Sequence, residues 1–185
     1  MGIIGITGSL ASGKTTVSHL MAGKKHPLFN ADKVVSNLYK KKKFVRLLIK
    51  QFKLDKDKKI KDQIRIFLKK NKKNFFQLEA IIHPLVRKEM KKFLKRKNKT
   101  LFLEIPLLLE SKLNKYFDKV VFVNASKKIR LKRYLKRNRD KKTFIFLNNR
   151  QLSPIDKKKL SDFTINNDYS LAILKKKVKN FMEKI

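Results

Sequence analysis

The chain has 185 residues, a formal net charge of +36 and no cysteine. That length fits one domain with small appended subdomains, and a hydrophobic fraction of 42% supports a packed core rather than wholesale disorder. The missing cysteine excludes disulfides, thiolate zinc sites and a cysteine nucleophile, and no apolar run reaches the roughly 18 residues of a membrane-spanning helix.

Residues 2–7 form a short β-branched run that reads as a buried strand. Residues 8–13 are a loop, and 14–21 have helical character ending at Gly23 as a C-cap. All five glycines fall within the first 23 residues, so the backbone there needs conformations that other residues resist. The N-terminal run enters this loop directly, without the basic and apolar regions of a signal peptide. Residues 26–30 suit a second strand and 32–39 a helix. The stretch 44–98 is mostly helical, with apolar spacing that predicts helices at 44–52, 60–70, 75–82 and, after Pro84, 84–95. Strands follow at 101–106 and 119–124, the latter apolar on both faces. A basic helix is expected at 127–137, another at 144–151, a fifth strand at 162–166 and a closing helix at 171–185. The order predicts an α/β doubly wound domain with a parallel five-stranded sheet and its ligand crevice at the carboxyl ends of the strands.

Gly8, Ser9, Leu10, Ala11, Ser12, Gly13, Lys14 and Thr15 match G-x-x-x-x-G-K-[ST] in full, with a strand before and a helix after. Such a P-loop turns its backbone N–H groups inward as an anion nest at the positive end of a helix. Lys14 can reach the β- and γ-phosphates, and Thr15 can offer its hydroxyl to Mg²⁺. The loop implies a nucleoside triphosphate but not a reaction. The base-recognition motif of GTPases is absent. A short chain with a helical insertion and a basic helix is the build of a small-molecule kinase.

Six blocks then resemble the dephospho-CoA kinase family, in order along the chain. They are the loop with Thr16, Asn30-Ala31-Asp32, Leu78-Glu79-Ala80-Ile81-Ile82-His83-Pro84, Glu104-Ile105-Pro106-Leu107-Leu108-Leu109-Glu110, Arg133 with Arg137, and Gln151, Pro154, Ser161-Asp162 and Asn167. The resemblance implies transfer of the γ-phosphate of ATP, with Mg²⁺, to the ribose 3′-hydroxyl of dephospho-CoA. It implies one P-loop kinase domain over 1–185, with an acceptor-binding insertion at about 40–98 and lid helices at about 127–152.

It also implies residue roles. Asp32 is the base, against the plainer reading of a helix N-cap. Lys14 and Arg137 are catalytic, and Thr16 and Arg133 join the loop in holding ATP. His83, Pro106, Leu107 and Glu110 contact the acceptor, although Glu110 reads equally as a surface charge. Glu104 and Asn30 stand where the family usually has aspartates. Arg133 and Arg137 share a helix face, with a solvated basic helix that includes Arg130 as the alternative.

The expected protein is a cytoplasmic monomer. The alternatives are another small P-loop kinase, acting on a nucleoside, nucleoside monophosphate or metabolite, or a non-enzymatic polyanion binder. The charge implies nonspecific polyanion affinity in either case. Lysine outnumbers arginine and is dispersed along the chain, which favours compositional drift over a dedicated partner.

Overall fold

A computed structural model describes residues 2–71, 73–96, 100–137 and 140–184. The elements in chain order are β1 (Gly2–Gly8), α1 (Lys14–Ala22), β2 (Leu28–Asn30), α2 (Ala31–Leu38), α3 (Lys42–Phe52), α4 (Ile60–Lys70), α5 (Lys73–Leu94), β3 (Thr100–Glu104), β4 (Lys119–Asn124), α6 (Lys127–Leu135), α7 (Lys141–Asn149), α8 (Pro154–Lys159), β5 (Phe163–Asn166) and α9 (Leu171–Met182). They separate into two compact units, Met1–Asn30 with Lys97–Ile185, and Ala31–Arg96.

The first unit is a five-stranded sheet in the order β2-β3-β1-β4-β5. Every strand pair is parallel, as strands apolar on both faces require. β1 lies at the centre, with Ile6 beside Glu104 on one flank and Gly8 beside Val123 on the other. The carboxyl end of β1 therefore emerges between the ends of β3 and β4, where doubly wound sheets present their crevice. Ile4, Ile6, Phe102, Val121, Val123 and Ile165 from the strands pack with Val17, Met21 and Ala22 of α1 and with Leu174, Val178 and Phe181 of α9. Burying a side chain such as Phe102 contributes about 1.5–3 kcal/mol, so this layer keeps the sheet ends in register beneath the loop.

The second unit is helical. Leu38, Phe44, Leu48, Ile64, Leu78 and Ile82 form its core, and the Tyr39 and Phe44 rings meet edge to face at 5.4 Å. Here the structure departs from expectation. Pro84 does not begin a helix but sits inside α5. An internal proline removes one backbone donor and costs about 3 kcal/mol. Leu78, Ile82 and Met90 are nevertheless buried along one continuous helix, so the apolar periodicity overrides the proline.

Helices of the first unit also differ from expectation. α7 begins at Lys141 because the Asp140 side chain accepts from the Thr143 N–H and caps it. The short α8 had not been anticipated. Ser153 caps it, with Pro154 in its first turn, and the Ser153 hydroxyl accepts from the Asp156 N–H. Residues 72 and 97–98 of the expected insertion, 138–139 of the expected lid and 185 of the expected closing helix lie outside the described residues. Among the described residues, no helix is long and apolar enough to cross a membrane.

Candidate nucleotide site

The loop that joins β1 to α1 closes on itself and is gripped from behind. Gly8 is required by crowding, since a Cβ there would lie 2.5 Å from the Val123 carbonyl oxygen and 2.7 Å from Ser12 Oγ. The Ser12 N–H donates to the Ser9 carbonyl at 3.1 Å. Ala11 takes a left-handed backbone, φ 60°, while its side chain packs beside Tyr134 and Phe144. Gly13 is left-handed as well, φ 93° and ψ 24°, and forms the start of α1 without a side-chain cap. The helix thus keeps its first N–H groups for an anion. Lys14 Nζ donates to the Gly8 and Ser9 carbonyls at 3.1 and 3.2 Å, which stations its charge at the loop itself.

Four side chains fix the loop from neighbouring elements. Gln151 Oε1 accepts from the Leu10 N–H at 2.8 Å. Arg130 Nη1 donates to the Leu10 carbonyl at 3.3 Å and to Asn148 Oδ1 at 2.7 Å, and its Nε donates to the Ala125 carbonyl at 3.0 Å. The Ser12 carbonyl accepts from Asn167 Nδ2 at 2.8 Å and from Arg133 Nη1 at 3.3 Å. Arg130 is therefore no member of a solvated face. It is 2% exposed, lies near the Phe144 ring at 5.8 Å, and has its pKa lowered by burial.

Glu104 ends β3 and is 1% exposed. Thr15 Oγ1 donates to its Oε1 at 2.7 Å, and Asn30 Nδ2 donates to its Oε2 at 2.6 Å. The Ser18 hydroxyl lies 2.9 Å from Oε2 and 3.0 Å from the Thr15 carbonyl, so one proton is shared between two acceptors. No described lysine or arginine forms an ion pair with Glu104. An anion held in the interior by neutral donors alone is costly. By giving its proton to Glu104, Thr15 turns its oxygen lone pairs outward. A hydroxyl oxygen beside a buried carboxylate is the donor chemistry of a hard divalent cation such as Mg²⁺, and the site fits one.

The remaining anticipated residues are placed as follows. Thr15 and Thr16 are exposed at the start of α1, and Arg133 is half-buried on α6. Arg137 is exposed and lies beyond the end of α6 at Leu135, so one continuous helix does not carry both arginines. Pro106 and Leu107 are half-buried after β3, and the Pro106 carbonyl accepts from the Thr7 hydroxyl at 3.1 Å. Glu110 is not a plain surface charge. Its Oε1 accepts from the Leu152 N–H at 3.0 Å and lies 2.8 Å from Lys157 Nζ. That contact is an ion pair without hydrogen-bond alignment, so Lys157 Nζ and Glu110 Oε2 keep buried, unused bonding capacity. Lys157 is 0% exposed, and its pKa is lowered by burial against the opposing pull of Glu110.

In the helical unit, Asp32 is exposed and is the second residue of α2, inside the first turn rather than capping it. His83 is half-buried within α5, immediately before Pro84. Sequence reasoning assigned no role to Ser18, Asn167 or Gln151 at the loop. Ser18 was findable, since it lies three residues after Thr15 and so on the same helix face.

Comparison with known proteins places the chain among relatives. A model of the dephospho-CoA kinase family matches residues 2–172. The dephospho-CoA kinase of Zymomonas mobilis is 40% identical over 91 residues, 48% of this chain and 46% of that one. The match thus spans about half the length of the curated relative. Among solved structures, TT1252 from Thermus thermophilus superposes with a TM-score of 0.80 at 24% identity, over 99% of this chain and 97% of that one. Dephospho-CoA kinase from Campylobacter jejuni gives a TM-score of 0.68 at 22% identity, over 99% and 96% of the two chains. At these identities the two structures bear on the fold alone.

Proposed function

The chain belongs to the dephospho-CoA kinase family, and we propose that it transfers the γ-phosphoryl group of ATP to the ribose 3′-hydroxyl of dephospho-CoA. The observation that carries phosphoryl transfer is Glu104, a buried carboxylate that accepts the Thr15 hydroxyl at 2.7 Å at the foot of the loop. Family membership supplies the acceptor.

In this reading the N–H groups of Gly8 to Thr16 cradle the phosphates, and Lys14 moves from the Gly8 and Ser9 carbonyls to the β- and γ-oxygens. Thr15 would hold Mg²⁺ directly, with Glu104 behind it through the hydroxyl or a water. The ion would neutralise charge on the β- and γ-phosphates. Arg133 and Arg137 contribute positive charge toward the transferred group, where a guanidinium can engage two oxygens at once. Asp32 takes the proton of the attacking hydroxyl. Its support is its place in the family's motif and in the chain, two residues after β2 ends at Asn30. His83, Pro106 and Leu107 contact the acceptor, for which residues 40–98 supply the insertion and 127–152 the lid. Glu110 acts from behind, because Lys157 and the Leu152 N–H occupy its Oε1. The protein works as a cytoplasmic monomer.

An ADP-release assay with dephospho-CoA and a panel of nucleosides and nucleoside monophosphates tests the proposal, with the position of the new phosphate read by ³¹P NMR. Turnover is expected with dephospho-CoA, on the 3′-hydroxyl. Turnover with a nucleoside monophosphate and none with dephospho-CoA would overturn the acceptor assignment.

A further inference from the structure

We infer that Asn167 is a positioning residue for polyphosphate binding, because its buried amide fixes the peptide between Ser12 and Gly13. The inference rests on the reading that the loop holds a nucleoside polyphosphate.

Asn167 follows β5 directly and is 6% exposed. Its own N–H donates to the Asn124 carbonyl at 2.8 Å, which ties it to the end of β4. Its side-chain Nδ2 reaches the Ser12 carbonyl, also at 2.8 Å. A peptide unit is planar and trans, so its C=O and N–H point in opposite directions. Pulling the Ser12 oxygen toward Asn167 therefore aims the Gly13 N–H away from Asn167. In an anion nest, that orientation decides whether the N–H meets the ligand.

Gly13 shows how tightly the amide is seated. A Cβ on Gly13 would lie 2.3 Å from Asn167 Nδ2, so the amide rests against the bare Cα. Gly13 also has φ 93°, a conformation that glycine reaches without strain but that many neighbouring conformations rival. A residue that permissive needs an outside contact to select one state.

Arg133 donates to the same oxygen, but from a half-buried side chain and at the longer distance of 3.3 Å. The two donors divide the work. Arg133 is able to leave for a phosphate oxygen, because Asn167 keeps the Ser12 carbonyl paired when it does.

The test is equilibrium binding of ATP, ADP, AMP and adenosine, in Mg²⁺, to the wild-type chain and to Asn167→Ala and Asn167→Asp. Losing one aligned, buried hydrogen bond is expected to weaken ATP and ADP by about tenfold, with AMP and adenosine changed less than about twofold. Asn167→Asp should bind ATP more weakly still, because it sets a carboxylate against a carbonyl oxygen beside the phosphates. Should Asn167→Ala fail to fold, Asn167→Ser carries the same comparison. An equal loss for adenosine and ATP would mean a base contact and overturn the inference, as would variants that match wild type for ATP. Wild-type protein that binds none of the four ligands would overturn the nucleotide reading as well, which separates the two failures.

Discussion

Glu104→Gln should separate stability from activity, and the structure says by how much. The wild-type carboxylate is 1% exposed, accepts from Thr15 and Asn30 at 2.7 and 2.6 Å, and shares the Ser18 proton at 2.9 Å. Burying a carboxylate costs several kcal/mol. Hydrogen bonds to a charged group return about 1.5–3 kcal/mol each, so the two quantities nearly offset. Glutamine with its oxygen in the Oε2 position still accepts from Asn30 and Ser18, and the Thr15 hydroxyl can rotate to accept from its NH₂. The stability change should stay within about 2 kcal/mol, or at most about 8 °C in Tm for a chain of this size. Activity should respond differently. Losing a preorganised electrostatic contact costs about 10²–10³ in rate, and the concentration of Mg²⁺ needed for half-maximal rate should rise. Thermal unfolding and ADP release at varied Mg²⁺ measure both. A variant that keeps kcat/KM within tenfold of wild type, with an unchanged Mg²⁺ requirement, would refute the role given to Glu104.

Asp32→Asn should lower kcat far more than it weakens ATP binding, because it removes a proton acceptor from an exposed helix start; near-normal turnover would remove Asp32 as the base. Lys157 should give stability an alkaline signature. Burial lowers its pKa below the ordinary 10.5, with Glu110 opposing and Arg130 reinforcing the shift, so the unfolded chain binds more protons just below that pH and stability rises there with pH. Lys157→Met removes this term while all other lysines remain, so the wild-type minus variant difference in urea-unfolding free energy should climb as pH approaches 10.5; a flat difference contradicts it. Asp162 accepts the Val120 N–H at 2.7 Å and lies 3.8 Å from Lys119 Nζ, both side chains being well exposed. Asp162→Ala should therefore cost about 1–3 kcal/mol and Lys119→Ala less than about 1 kcal/mol, and equal losses in denaturant titrations would show that the surface pair, not the backbone bond, matters.

What the sequence disclosed was local. The loop was legible because its glycines, its Lys14-Thr15 pair and the flanking strand and helix lie within one short stretch. Glu104 was legible as the end of a strand, but its partners were not. Asn30 reaches it because β2 pairs with β3 and sets Asn30 opposite Glu104, a juxtaposition that no local pattern encodes. Arg130 enters the sequence reading only through the alternative of a solvated basic helix, which its burial rules out for this side chain. The available signal was Tyr134, four residues on and buried on the same face, which marks the inward side of α6. Pro84 misled because proline ends most helices, and only the packed helical unit shows that the apolar period runs through it. The start of α8 was readable from Ser153-Pro154-Ile155-Asp156, where a capping hydroxyl and a proline stand together.

The charge of +36 looks different once the carboxylates are located. Only 14 residues are acidic, and six of them close backbone donors, some in addition to an ion pair. Asp55, Asp118, Asp140, Asp162, Asp168 and Glu110 each accept a backbone N–H, from Asp57, Ile3, Thr143, Val120, Ser126 and Leu152 respectively. Asp118 holds the start of β1, Asp162 the start of β4, and Asp168 the turn into α6. Removing such an acceptor leaves a main-chain donor unmatched, whereas an exposed ion pair contributes at most about 1 kcal/mol. A surface position is therefore free to become lysine, and a position that closes a backbone donor is not. This asymmetry lets a surface become strongly basic while the acidic framework stays intact. It also explains why Glu104, among the described residues the one carboxylate buried among neutral donors, stands out more clearly than the lysines around it.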